Sequence, residues 1–223
     1  MAKLIILETA VQGAKVIQDL ELESFPIGVE HSQKVKATPI ETDYGSRDCV
    51  NLAPSTAVSR IMGIDPGTVV TGYGIVLISP TGMQLIDFGC IRPPAKYKLS
   101  DRYLILYDSI GELLEKHAPQ AVAIETQFVH HNPQSAIKLG MARGIMVIAA
   151  RKKGATVFEY TPKKAKLAVT GSGNASKHQV QAMIQHLFRL PTLPEPADAA
   201  DALALAVCHA HAMQSPKLMG IEY

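Results

Sequence analysis

The spacing of apolar residues changes period several times along this chain, and the changes mark out its elements. From Arg60, two short apolar runs, RIMGID and GYGIVLIS, are joined by DPGTVVT, a spacing that suits adjacent strands and a turn. QLIDFGCI reads as a third strand after Pro80-Thr81-Gly82. The pattern then becomes helical: Tyr103, Leu106, Ile110 and Leu113 recur at helical spacing, Ser100 is placed to cap that helix, and Pro119 must lie beyond its end. AVAIE, residues 121 to 125, is an all-apolar run closed by an acid, the pattern of a central strand buried on both faces. Asn132-Pro133 offers an N-cap with proline at the first helical position, and this helix can run to Lys153 with Gly154 as its stop. Gly140 and Gly144 inside it each cost about 1 kcal/mol relative to alanine, so their spacing predicts close approach of another element.

TVFEY reads as a fifth strand and PKKAKLAV as a short basic helix. Ser176 and Gln179 have the spacing of a capping box ahead of Val180, Met183 and Leu187, and a last helix starts near Ala197 and runs through ADAADALALAVCHAHAM. The order predicts an α/β layer fold on a mixed five-stranded sheet flanked by helices, because the first three runs are joined too tightly for parallel crossovers. Residues 1–58 show no sustained period and are read as a poorly structured N-terminal extension, with 59–223 forming the domain.

Composition narrows the class. With 223 residues, 47% of them apolar, the chain is long enough to bury a core and is not disordered wholesale. Cys49, Cys90 and Cys208 have neither paired nor metal-like spacing and read as packing residues in a reducing compartment. MAKLIILETA is too short an apolar run for a signal peptide, and no later window is apolar over a membrane-spanning length, so a cytoplasmic protein without membrane attachment is expected. The net charge of +2 hides a split: residues 1–58 carry five basic residues against eight acids, a net of −3, which leaves +5 on the remainder. A basic body suits a polyanionic partner.

Four acids stand at element ends in apolar surroundings: Asp65 on the first strand, Glu125 closing the fourth, and Asp198 with Asp201 on the last helix. Each has an ordinary reading as a turn residue, a salt-bridge partner or a helix cap. Together they suggest more. Asp198 and Asp201, three apart, share a face of a helix's first turn. Should that face meet Asp65 and Glu125, the repulsion calls for cations; hard oxygen ligands select magnesium or manganese, and two such ions about 4 Å apart are a known means of cutting phosphodiesters. Other motifs lead nowhere. Asp87-Phe88-Gly89 lacks the companion kinase motifs, GSGNASK lacks the Walker spacing, and His209 and His211, two apart, diverge on a helix as packing or surface residues.

GIDPGTVVTGYGIV, AIETQF, SAIKLGMARG, VTGSGNASKHQV and DAADALALA, in uninterrupted order over residues 60 to 213, resemble the RuvC family of Holliday junction resolvases, with a ribonuclease H-like fold. The resemblance implies that Asp65, Glu125, Asp198 and Asp201 form the family's catalytic and metal-binding tetrad, holding two Mg2+ per subunit with Mn2+ as a substitute. It places the aromatic residue beside the opened base pairs at Phe128, where stacking is worth about 1 to 3 kcal/mol, and two lysines on the DNA backbone at Lys166 and Lys177. It further implies a homodimer that cuts opposed strands of four-way junction DNA and cooperates with the RuvAB branch-migration complex. His130 and His131 fall in the same DNA-facing loop, and the Gly140 to Gly144 face is expected at the dimer contact. Two other classes compete: a catalytically silent junction-binding protein, and a phosphotransferase of the actin and hexokinase type, which also uses an Asp-x-Gly-Thr strand end. The second normally repeats the half-domain, and no repeat occurs here. Residues 1–58 lie outside the resemblance.

Overall fold

The computed structural model describes residues 28–31, 58–126, 133–214 and 220–222. Its centre is a sheet built from β1 (Gly28–His31), β2 (Ser59–Asp65), β3 (Thr71–Ser79), β4 (Gly82–Arg92), β5 (Ala121–Glu125), β6 (Thr156–Tyr160) and β7 (Ile221–Glu222), in the order β1-β4-β3-β2-β5-β6-β7. The helices are α1 (Leu99–His117), α2 (Pro133–Lys152), α3 (Pro162–Thr170), α4 (Lys177–Phe188) and α5 (Ala197–Met213).

Strands β2, β3 and β4 form an antiparallel meander, because their connections are too short to cross the sheet, whereas β5 and β6 arrive through helices and lie parallel to β2 and to each other. The five expected strands are therefore present and the sheet is mixed. Among the described residues it has seven strands, not five. Gly28–His31, inside the stretch read as an unstructured extension, pairs antiparallel with β4, and Ile221–Glu222 pairs antiparallel with β6. Segments of four and two residues are too short to show a period, and an edge strand is recruited through its backbone, which any sequence carries.

Strand alternation sorts the interior into two layers. Ile61, Ala123, Tyr160 and most of α5 make one core, closed by α3 and α4. Met62, Ile64, Val122, Ile124 and Val157 face the other, closed by Tyr103, Leu106, Ile110 and Leu113 of α1 and by Met146 and Ala150 of α2. Helix α5 is buried along nearly its whole length, so its alanines are packing residues. Cys90 and Cys208 are buried and form no disulfide among the described residues, as packing residues should. Cys49 lies outside the described residues. His209 is buried too, bonded through Nδ1 to the Tyr160 hydroxyl at 2.7 Å, and burial pushes its pKa down to about 4. Asp87 pairs with Lys116 at 3.3 Å and His117 at 2.9 Å across the β4 and α1 layers, a structural role for the kinase-like tripeptide. Among the described residues no helix is long and apolar enough to cross a membrane.

The helix signals fared unevenly. The Ser176–Gln179 capping box forms with both reciprocal bonds, Thr161 caps α3 through Lys164 N, and Gly154 follows α2 at φ +82°. Ser100 does not cap α1: the helix begins at Leu99 after Lys98, without a side-chain cap, because the helical turn already includes Ser100. Asn132 lies outside the described residues. A methyl group added at Gly140 or Gly144 would have nothing within 4 Å, so among the described residues no other element approaches them.

Candidate active site

Asp65 is the last residue of β2, and Glu125 the last of β5, its parallel neighbour. Ile64 pairs with Ile124, so the two acids leave the sheet side by side at the same end. Alternation sends both to the face that carries α5, since Ile61 and Ala123 belong to that core.

Helix α5 delivers the other two acids, and two glycines determine how close it comes. A methyl group built on Gly63 would sit 1.9 Å from the Ala202 carbonyl oxygen; one on Gly72 would sit 2.0 Å from that of Asp198. Backbone therefore rests on backbone, and Gly72 is the β3 partner of Asp65. The first turn of α5 thus lies over the strand row that ends in Asp65. Sequence reasoning missed this seat, although the recurrence of glycine every second residue in GYG was its signal. The N-cap of α5 is Pro196, without a side-chain cap bond. Asp198 is therefore not a helix cap, which removes its ordinary reading.

Electrostatics record the convergence. Burial, then the charges of Glu125, Asp201 and Asp198, push Asp65 up to about 8. Burial and Asp201 push Glu125 up to about 7. Asp201 is raised as well, mainly by burial, against the pull of Lys177. These are carboxylates short of positive charge. The Lys177 ammonium stands 3.4 Å from Asp201 while remaining 63% exposed, at the first position of α4. Although partial burial opposes it, the attraction of Asp201, Asp198 and Asp65 raises the Lys177 pKa. Lys166 donates to the Ala175 carbonyl at 2.9 Å, which ties α3 to the loop before α4, and its charge also reaches Glu125 and Asp201. Phe128, His130 and His131 lie outside the described residues.

Four carboxylates are the hard-oxygen donor set that magnesium or manganese takes, and a divalent ion would relieve the same repulsion that now favours protons. The donors fit in kind and in mutual influence. Among the described residues, however, no three of them already close on one point as a finished cation cage. Magnesium usually keeps several waters and takes only one or two protein carboxylates, so such a site does not require a complete protein cage.

A second cluster, also missed in the sequence, lies behind Glu125. Arg143 of α2 donates from Nε to the Glu125 carbonyl at 3.3 Å and pairs through Nη2 with Glu159 of β6. Neither residue has an apolar period that would single it out.

The family model described as crossover junction endodeoxyribonuclease RuvC matches residues 61–209. The chain is 54% identical over 163 residues to the protein of that name from Protochlamydia amoebophila, covering 73% of this chain and 95% of the relative. It is 50% identical over 154 residues to that of Chlamydia abortus, covering 68% and 93%. Among solved structures it is similar to Thermus thermophilus RuvC, with TM-score 0.65 and 30% identity over 72% of this chain and 98% of that one. The same protein in complex with a Holliday junction substrate matches with TM-score 0.64 and 28% identity, over 73% and 98%.

Proposed function

Because the chain belongs to the RuvC family of crossover junction endodeoxyribonucleases, we propose that it resolves four-way DNA junctions by paired incisions, using Asp65, Glu125, Asp198 and Asp201 as its catalytic acids. The observation that carries this reading is the meeting of these four acids, drawn from β2, β5 and α5, at one end of the sheet. Two magnesium ions, or manganese in their place, would be held by the same four residues; when bound they supply Lewis-acid stabilisation of phosphoryl oxygens and acidify water for attack.

The chain's own groups do the rest. Asp65, flanked by the other three, is the acid on which all of them act, and so it is the shared anchor. Lys177, the exposed partner of Asp201, turns to a DNA phosphate, while Lys166 braces the loop from which α4 starts and adds positive potential beside the cut strand. Phe128 stacks on a base exposed where the junction opens. Backbone and shape dominate such recognition, so sequence preference arises where bases unstack. The test is incision of a synthetic four-way junction beside a linear duplex of the same sequence. Symmetric nicks in opposed junction strands, and none in the duplex, are expected; equal cutting of both would sink the reading.

Paired incision requires two sites, and α2 offers a surface for a second copy. Ile137, Met141 and Ile148 are exposed by 63%, 53% and 62%, and with Gly140 and Gly144 they line one stripe of the helix. Among the described residues nothing covers the two glycines. A homodimer through this stripe buries it and relates two active sites by one two-fold axis. Replacing both Gly140 and Gly144 by leucine leaves the monomer's interior untouched and should weaken dimerisation on the order of 10- to 100-fold, read by sedimentation velocity. An unchanged sedimentation profile of the folded variant would place the dimer elsewhere. Residues 59–223 are assigned as the nuclease domain of a cytoplasmic enzyme that receives junctions from the RuvAB branch-migration complex, with 1–58 an N-terminal extension that lends the edge strand β1 to its sheet.

A further inference from the structure

We infer that Arg143 is a positioning residue that sets the orientation of Glu125 from the opposite side of the sheet, with Glu159 holding the guanidinium in place; the inference rests on the reading of Glu125 as one of the four catalytic acids. The need for such a device follows from where Glu125 stands. It is the final residue of β5, and the next backbone bond of the ladder, Thr126 N to the Tyr160 carbonyl at 2.9 Å, is the last one described before the chain leaves the sheet. A strand end has fewer constraints on its terminal dihedral angles than a strand centre. A drift of the terminal carbonyl rotates the peptide plane and carries the side chain with it.

The Thr126 bond holds one edge of the terminal peptide plane, and Arg143 holds the other, carbonyl edge. Its Nε donates to the Glu125 carbonyl oxygen at 3.3 Å, and its Nη2 pairs with Glu159 Oε1. Glu159 sits on β6 directly beside Ile124, so the guanidinium spans two adjacent strands at their last rungs. Ile124 belongs to the core under α1 and α2, whereas the Glu125 side chain leaves toward α5. The grip is therefore on the backbone from beneath, from the face opposite the one the Glu125 side chain takes. Both members of the pair are largely buried, their side chains 13% and 15% exposed, where a planar fork with several donors holds its geometry with little loss of freedom. Lysine has no second donor at fixed angle and cannot grip both partners in this way. Because α2 also carries the exposed stripe assigned to the second copy, the same helix connects the dimer face to the end of β5.

The experiment compares Arg143→Ala, Arg143→Lys and Glu125→Gln, using junction binding in chelator, single-turnover cleavage, and the rise in melting temperature on adding magnesium. Arg143→Ala and Arg143→Lys are expected to bind the junction as the wild type does, to cleave about 10- to 100-fold more slowly, and to need more magnesium for the same thermal shift. Glu125→Gln is expected to bind and not to cut; if it cuts normally, the role of Glu125 is wrong whatever Arg143 does. If Glu125→Gln is inactive but a folded Arg143→Ala cleaves and responds to magnesium like the wild type, the positioning role is overturned. Should Arg143→Ala fail to fold, Arg143→Lys decides, since it keeps charge and bulk: full cleavage by that variant would mean that only a buried positive charge is needed, and the inference falls. A slowed cleavage with an unchanged magnesium response would place the defect away from Glu125 and overturn it equally.

Discussion

Asp65→Asn is expected to bind a four-way junction as the wild type does and to cleave it about a thousandfold more slowly, or not at all, in saturating magnesium. Buried and acted on by the three other acids, the Asp65 carboxyl is the electrostatic centre of the proposed site, and its neutralisation is expected to weaken cation binding there more than that of any other member. Asparagine keeps the size and loses only the charge. On the proposed reading, binding rests on the lysines and on junction shape rather than on this carboxylate, and gel-shift and cleavage assays on one substrate separate the two. Wild-type cleavage by the variant would end the case for a tetrad centred on β2. The same variant tests the electrostatics without DNA. The Asp65 carboxyl, ordinarily at 3.8, is held at about 8 in the folded chain, so the fold retains a proton that the unfolded chain has released. That contribution to stability is fully present below about pH 4 and is lost as the pH climbs toward 8. In chelator, the wild type should therefore melt at falling temperatures across this range, and magnesium should restore most at the alkaline end, where the carboxylates are bare. Asp65→Asn should flatten the profile, leaving the smaller slope contributed by Glu125 between 4.5 and about 7. A wild-type melting temperature indifferent to pH without metal would contradict the crowding of the acids.

Gly72→Ala is expected to cost at least about 1 to 3 kcal/mol of stability and, in the fraction that folds, roughly 100-fold in cleavage rate. The added methyl would meet the Asp198 carbonyl oxygen at 2.0 Å, a contact with helix backbone that no side-chain rotation can relieve. Helix α5 must lift, and Asp198 and Asp201 lift with it, away from Asp65 and Glu125. Gly111→Ala in α1 is the control, because nothing lies within 4 Å of its new methyl and alanine favours the helix. Chemical denaturation and single-turnover cleavage of the two variants check the prediction, and a Gly72→Ala protein as stable and active as Gly111→Ala would show that α5 is not seated on β3 as described.

Much of this architecture was legible in the chain because its signals are local. AVAIE and TVFEY form strands with the expected bounds, and the Ser176–Gln179 box starts α4 where its spacing placed it, since turn chemistry and alternation act over a few residues. Local signals also misled. Ser100 is a good capping residue by type, yet α1 starts at Leu99, one residue before it. Gly140 and Gly144 suggested a close neighbour, and no described element of the chain is one; the second copy proposed for the α2 stripe would be. The edge strands β1 and β7 were invisible for the opposite reason: they are held by backbone bonds to β4 and β6, and backbone is the same in every sequence.

The amino-acid sequence by itself determined the five inner strands, the five helices, their order and the choice of the four acids, because an acid at the end of an apolar run is conspicuous wherever the chain goes. Only the tertiary structure decided how those acids meet. The seat of α5 on Gly63 and Gly72, the approach of Lys177 to Asp201 and the grip of Arg143 on the end of β5 join positions from 18 to 139 residues apart. Contacts of that kind depend on how close two backbones come once the layers are packed, and a periodicity read over a single turn or strand holds no information about that distance.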